Sequence, residues 1–275
     1  MAKRVRKSNG VRVFLAFAGL TFAISWAFWV PQAMLARGVF ESAALERFFH
    51  SNWNIAPFGP TIAAVLVVLR KRGPAGLVEF LWSGLTARFR IRWLVISLFA
   101  MPLLCWLAAY LAPGAVPQLG VSWRAIPAAF GTAFLVSGPL AQEFGWRGLA
   151  QPRLQSRLSG LGSAVVIGGT WATWQLPLHF MTAAEGPQYN AAFGALAGEI
   201  ITLTLLSVLA GWVYNATRGS VLITMLFLTS HNLSAHVLFP VFDDGQVLPF
   251  YTLLMALAAT GSVLIAGPGP LGRKR

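Results

Sequence analysis

Apolar residues fill this chain in long runs, separated by short stretches that are basic or rich in glycine and proline. The runs cover roughly residues 11 to 36, 54 to 70, 93 to 112, 124 to 146, 160 to 180, 191 to 214, 219 to 240 and 250 to 267. A helix rising 1.5 Å per residue needs about 20 apolar residues to cross the hydrocarbon core, with about 17 to 25 the ordinary range. The pattern therefore predicts an all-α, polytopic membrane bundle of about eight transmembrane helices. Between the second and third runs, Leu77, Phe80, Leu81, Leu85, Phe89 and Trp93 recur at helical spacing, with Arg88, Arg90 and Arg92 at the end of the segment. This spacing predicts an amphipathic helix lying in the membrane interface, whose basic face would be solvated by headgroups.

Composition agrees with the pattern. Of 275 residues, 56% are hydrophobic and 11% charged, with mean hydropathy +0.65, against roughly 25% charged residues in a soluble domain. The bilayer is thus the first partner. A net charge of +13 does not point to nucleic acid, because a nucleic-acid binder gathers its basic residues on one soluble face, whereas here they sit in the breaks between apolar runs. If the chain crosses eight times, Lys3, Arg4, Arg6, Lys7, Arg12, Arg70, Lys71, Arg72, Arg88, Arg90, Arg92, Arg147, Arg153, Arg157, Arg218, Arg273, Lys274 and Arg275 share one side. Arg37, Arg47 and Arg124 fall on the other, with Glu41, Glu46, Glu185, Asp243 and Asp244. The positive-inside rule then predicts an integral protein of the cytoplasmic (plasma) membrane with both termini in the cytoplasm.

The first apolar run is longer than a signal-peptide core of about 7 to 15 residues and is read as a retained helix. Cys105 is the lone cysteine, so no intrachain disulfide is available and redox chemistry is not indicated. No internal repeat is visible, and the longest extramembrane piece apart from the interfacial segment, about residues 37 to 53, is shorter than a folding unit of roughly 50 residues. Residues 1–275 therefore read as a single membrane domain, and any chemistry belongs inside the bundle.

Polar side chains interrupt four of the later runs: Gln142, Glu143 and Arg147; Gln175 and His179; Glu199; and His231, Asn232 and His236. A charge at the centre of a bilayer costs about 2.5 to 3.5 kcal/mol on insertion scales and is by default a functional-site hypothesis. Glu143 and Arg147 are four apart and can pair on one helix face. Gln175 and His179 are one turn apart, and Leu228, His231 and Asn232 form an i, i+3, i+4 stripe. Gly145 and Gly148 suit close helix approach, and Pro177 is placed to bend the fifth helix.

The sequence Gln-Glu-Phe-Gly-Trp-Arg-Gly at 142 to 148, Gln151-Pro152-Arg153-Leu154-Gln155, Trp171-Ala172-Thr173-Trp174-Gln175-Leu176-Pro177 and Leu228-Thr229-Ser230-His231-Asn232-Leu233-Ser234 closely resembles the CPBP family. These are intramembrane proteases related to the type II CAAX prenyl endopeptidase and to the bacterial Abi proteins. The resemblance covers about residues 124–240, the CPBP/Abi-like core with its three motifs. It implies the patterns EExxxR, FxxxH and HxxxN on successive helices. The first Glu and the second-motif His would activate a water, with or without a metal such as zinc, and the third-motif His and Asn would serve as metal ligands or oxyanion stabilisers. It also implies a peptide, or a prenylated or other membrane protein, as substrate.

The chain departs from that pattern at three places. Gln142 stands where the first Glu belongs, Gln175 where the second-motif His belongs and Leu228 where the third-motif His belongs, while Glu143, Arg147 and Asn232 match. Trp171 replaces the Phe of the second motif. General acid and base groups contribute about 10²- to 10⁴-fold each, and an aliphatic side chain ligates nothing, so the resemblance implies a pocket with little or no proteolysis by the family mechanism and no bound zinc. Two other readings stay open. Glu143, His179, His231 and Asn232 could form a relocated active protease site, the first three being candidate metal ligands. Alternatively, Glu199 and the stretch from Asn54 to Pro60 could line a transport path, although the repeats that transporters often show are missing.

Overall fold

The computed structural model describes residues 10–49, 55–86, 89–114, 117–135, 138–182, 189–241 and 245–268, with the backbone alone at 182 and 189–195. Lys3, Arg4, Arg6, Lys7, Asn54, Arg88, Glu185, Asp243, Asp244, Arg273, Lys274 and Arg275 lie outside the described residues. The architecture is all-α, with no strand among the described residues. In chain order it comprises α1 (Gly10–Ala36), α2 (Ala43–Phe49), α3 (Gly59–Leu85), α4 (Ile91–Leu111), α5 (Ile126–Leu135), α6 (Pro139–Glu143), a π-helical stretch (Phe144–Ala150) and α7 (Gln151–Leu154). There follow α8 (Gly160–Thr182), α9 (Tyr189–Ala216), α10 (Val221–Leu233), which runs into a second π-helical stretch (Ser234–Leu238), and α11 (Val247–Ala266).

Among the described residues, six segments are long and apolar enough to cross a membrane: α1, α4, the composite from Trp123 to Leu154, residues 196–216 of α9, α10 with its π extension, and α11. α3 and α8, which carry the second and fifth apolar runs, are not among them. α3 has Arg70, Lys71 and Arg72 in its middle, and α8 has Gln175, Pro177 and His179 in its last third.

Two elements differ from the sequence reading. The fourth run is not one helix: it breaks at Gly138 (φ 110°), and α6 starts on Pro139, a residue suited to a first turn whose N–H would be unsatisfied anyway. The interfacial helix is not a separate element. Its first part continues α3 beyond a kink at Gly73 (φ 69°, ψ −175°) and Pro74, while Thr86 turns extended and Trp93 belongs to α4. Phe80 packs inward, but Val78 and Trp82 are each 67% exposed, so the outer face of this part of α3 is apolar where the sequence pattern placed polar groups.

α8 lies along α9, α1 against α3 and α8, α10 against α4, and α11 against α4 and α9. A ladder of aromatic rings runs through the middle. Trp29 meets Trp174 at 4.6 Å between centroids, Trp174 meets Trp146 edge-on at 6.0 Å, and Trp146 meets Phe17 edge-on at 5.3 Å, geometries that suit the ring quadrupoles. Gly145 lets the π-helical stretch touch α3 directly, since a Cβ there would lie 2.5 Å from the Pro60 carbonyl oxygen. α8 passes through Pro177 as one helix.

Candidate active site

The short helix α6 and the π-helical turn after it set the first motif. A π turn widens the helix locally and is frequent at functional sites. Across this transition the Arg147 Nη1 still donates to Glu143 Oε1 at 2.9 Å, and both side chains are fully buried. Arg147 Nη2 donates to Ser207 Oγ of α9 at 3.3 Å, and the guanidinium stands 5.2 Å from the Trp171 ring centroid of α8. One cation thus ties three helices together. Glu143 Oε2 and Arg147 Nε have no hydrogen-bond partner among the described residues.

Gln142 turns back across the break before α6. A Cβ at Gly138 would lie 2.5 Å from its Nε2, and the φ of 110° there favours glycine as well. Gln142 Oε1 is buried without a partner among the described residues. On α8, Trp171, Gln175 and His179 share one face at successive turns. With its amide oriented to match both neighbours, Gln175 accepts from Trp171 Nε1 at 2.8 Å and donates to Glu199 Oε1 at 3.1 Å. The other Glu199 oxygen pairs with His179 Nε2. On α10, Leu228 is buried, and Asn232 sits one turn further on. His231 Nδ1 lies 3.1 Å from Asn232 Oδ1, and its Nε2 lies 2.6 Å from the Tyr251 hydroxyl of α11.

These elements enclose a cavity of about 850 Å³, within the range of roughly 300–1,000 Å³ typical of ligand sites. Gln142, Glu143, Gln175, Leu228 and Asn232 all line it, as do His179, Glu199, His231 and His236. Arg147 is not itself a lining residue and stands behind two that are, Glu143 and Trp171. Residues 123–234 match the Rce1-like type II CAAX prenyl endopeptidase family. Over 119 residues the chain is 24% identical to the CAAX prenyl protease 2 of Methanococcus maripaludis, a stretch that is 43% of this chain and 44% of that protein. Both matches support a CPBP/CAAX protease-like core over the stretch they cover. The match takes in α5 to α10, and the chain spans less than half the length of this curated relative.

Against the family pattern, the donors in the cavity fit zinc poorly. A catalytic zinc site needs three protein ligands, usually imidazole or carboxylate, plus a water. Gln142, Gln175 and Asn232 present neutral amides to the cavity and Leu228 an alkyl chain. Nor do three or more His, Cys, Asp or Glu side chains form a metal-binding group among the described residues. The remaining candidates already have other partners: Glu143 has Arg147, His179 has Glu199, and His231 has Asn232 and Tyr251. The wall is mainly apolar, with amide groups and one orphan amide oxygen, so it can bind and orient a polar backbone. Gln142, Gln175 and Leu228 offer it no base.

The pairing of Glu199 with Gln175 and His179 was not read from the sequence, although Trp171, Gln175 and His179 at steps of four are a visible stripe. Its partner is supplied by the next helix, 20 residues on from His179, which spacing on one helix does not reveal.

Proposed function

We propose that this chain is an integral membrane member of the CAAX protease-like family that has kept the substrate chamber and lost the proton chemistry. It holds a peptide, or a prenylated or other membrane-protein substrate, without cleaving it by the family mechanism, and it carries no resident metal. The observation that supports this most is that Gln142, Gln175, Leu228 and Asn232, from three separate stretches of sequence, line one cavity. A glutamine keeps much of the shape and hydrogen bonding of glutamate or histidine and cannot take a proton, so the chamber outlives the reaction. The triple variant Gln142→Glu, Gln175→His, Leu228→His tests this reading. It should bind zinc by elemental analysis and cleave prenylated or membrane-tethered peptides that the parent chain leaves intact. If the restored protein neither binds metal nor cleaves, the pseudoenzyme reading loses its basis.

A relocated site has one observation in its favour: Glu143, His179, His231 and Asn232 line the same cavity. Their existing partners weigh against it. Proteolysis by the parent chain that disappears in His179→Ala would favour the relocated site over the silent one. For transport, Glu199 is held by Gln175 and His179, which speaks for a structural carboxylate; flux into proteoliposomes with and without Glu199→Gln separates the two.

A further inference from the structure

A second cavity, of about 290 Å³, lies on the outside of the bundle between the far half of α3 and the π turn with α7. It is independent of the chamber above. Arg72, Glu79 and Ser83 of α3 line it together with Arg153 of α7. Among the described residues neither guanidinium takes part in an ion pair. The backbone shapes this space. The kink at Gly73 swings α3 away just after Arg72, a Cβ at Gly76 would lie 2.2 Å from Arg72 Cβ, and one at Gly148 would lie 3.1 Å from the Phe80 ring that floors the cavity.

Its position is at one end of the bundle. The first residue of α1 packs against α7, where a Cβ at Gly10 would stand 2.6 Å from the Arg153 carbonyl oxygen, and Leu161 N near the start of α8 donates to Pro268 O just past α11 at 3.1 Å. This is also the end that carries Arg70, Lys71 and Arg157. The neighbouring strip of α3 is Val78, Trp82 and Leu85, apolar and exposed, the surface expected to meet acyl chains, with a tryptophan suited to the headgroup boundary. A two-arginine cavity beside an apolar strip matches an amphiphile with an anionic head.

We propose that this cavity binds the headgroup of an anionic phospholipid, its phosphate between Arg72 and Arg153, a headgroup hydroxyl toward Glu79 and Ser83, and its acyl chains along Val78 and Trp82. Basic pockets at the ends of membrane helices are suited to such headgroups, and the volume admits a headgroup but not a whole lipid.

The test uses the full chain, purified in neutral detergent and titrated with phosphatidylglycerol, phosphatidylcholine or inorganic phosphate, with bound lipid read by native mass spectrometry. Phosphatidylglycerol should be retained, phosphatidylcholine should not, and free phosphate should fail to compete. Arg72→Gln and Arg153→Gln should each weaken retention roughly fivefold, as expected for loss of one basic residue at a headgroup. Arg92→Gln, an exposed arginine that does not line the cavity, should leave retention unchanged. Retention by the Arg72 and Arg153 variants undiminished from that of the parent chain would overturn the proposal, as would a fivefold loss in Arg92→Gln, which would mean diffuse attraction, or full competition by phosphate, which would mean a soluble anion. Arg72 is exposed, so its variant folds on grounds that do not depend on Arg153.

Discussion

At the scale of single residues, the strongest commitment in the molecule is the fully buried pair Glu143 and Arg147. Two charges taken out of water are costly, and removing one partner strands the other, at about 3–5 kcal/mol. Arg147→Ala and Glu143→Ala should each lose stability of that order in chemical unfolding from mixed micelles. The double variant should lose less than the sum, because it leaves no stranded charge; simple additivity would mean that the pair is not coupled. This pair was legible in the sequence, since an i, i+4 carboxylate and guanidinium in an apolar run have few other ways to be neutralised. The fold also brings Gln142, Gln175, Leu228 and Asn232, singled out in the sequence, to one cavity. The side chains that complete its wall were not legible in this way. Ser207 under Arg147 and Glu199 under Gln175 come from α9, and nothing within one helix reports what the neighbouring helix presents.

At the scale of elements, hydrophobic runs located the helices but not their discontinuities. The break at 138–139, the kink at 73–74, the start of α3 at 59–60 and the stop of α11 at 267–268 all fall on Gly–Pro pairs. The physical reason is common to them: proline removes a donor and clashes with the preceding turn, while glycine alone takes the positive φ that several of these junctions use. Apolar content masks these signals, because a run of leucine and alanine reads the same on either side of a break. The π-helical stretch depends on its contact with α3. In Gly145→Ala a Cβ would be forced to 2.5 Å from the Pro60 carbonyl oxygen, and overpacking of this kind costs about 1–3 kcal/mol. Gly131→Ala, where the added Cβ meets nothing within 4 Å, should instead be neutral or stabilising by up to about 1 kcal/mol. Thermal unfolding of the two variants side by side checks the contrast; equal behaviour would remove the close approach as the reason for glycine at 145.

At the scale of the whole molecule, composition alone placed the chain in the bilayer, and six segments have the length and apolarity for it. The reading with both termini inside gives a directional expectation. Reporter fusions ending after Ser159 or Arg218 should fluoresce as cytoplasmic proteins, and those ending after Gly120 or Gly245 should be active only as exported ones; the reverse pattern would invert the bundle. α8 is the more instructive of the two helices that fall short on apolarity. It turns Gln175 and His179 toward the chamber and meets them with Glu199 of α9, so its polar face is matched only when the next helix is present. Biogenesis thereby acquires an order: α8 emerges first, with nothing to satisfy its amide and imidazole, and settles in the bilayer as one half of a pair once α9 has been made. The same residues that shape the chamber in the finished protein make the chain, for the length of one helix of synthesis, a poor passenger in lipid.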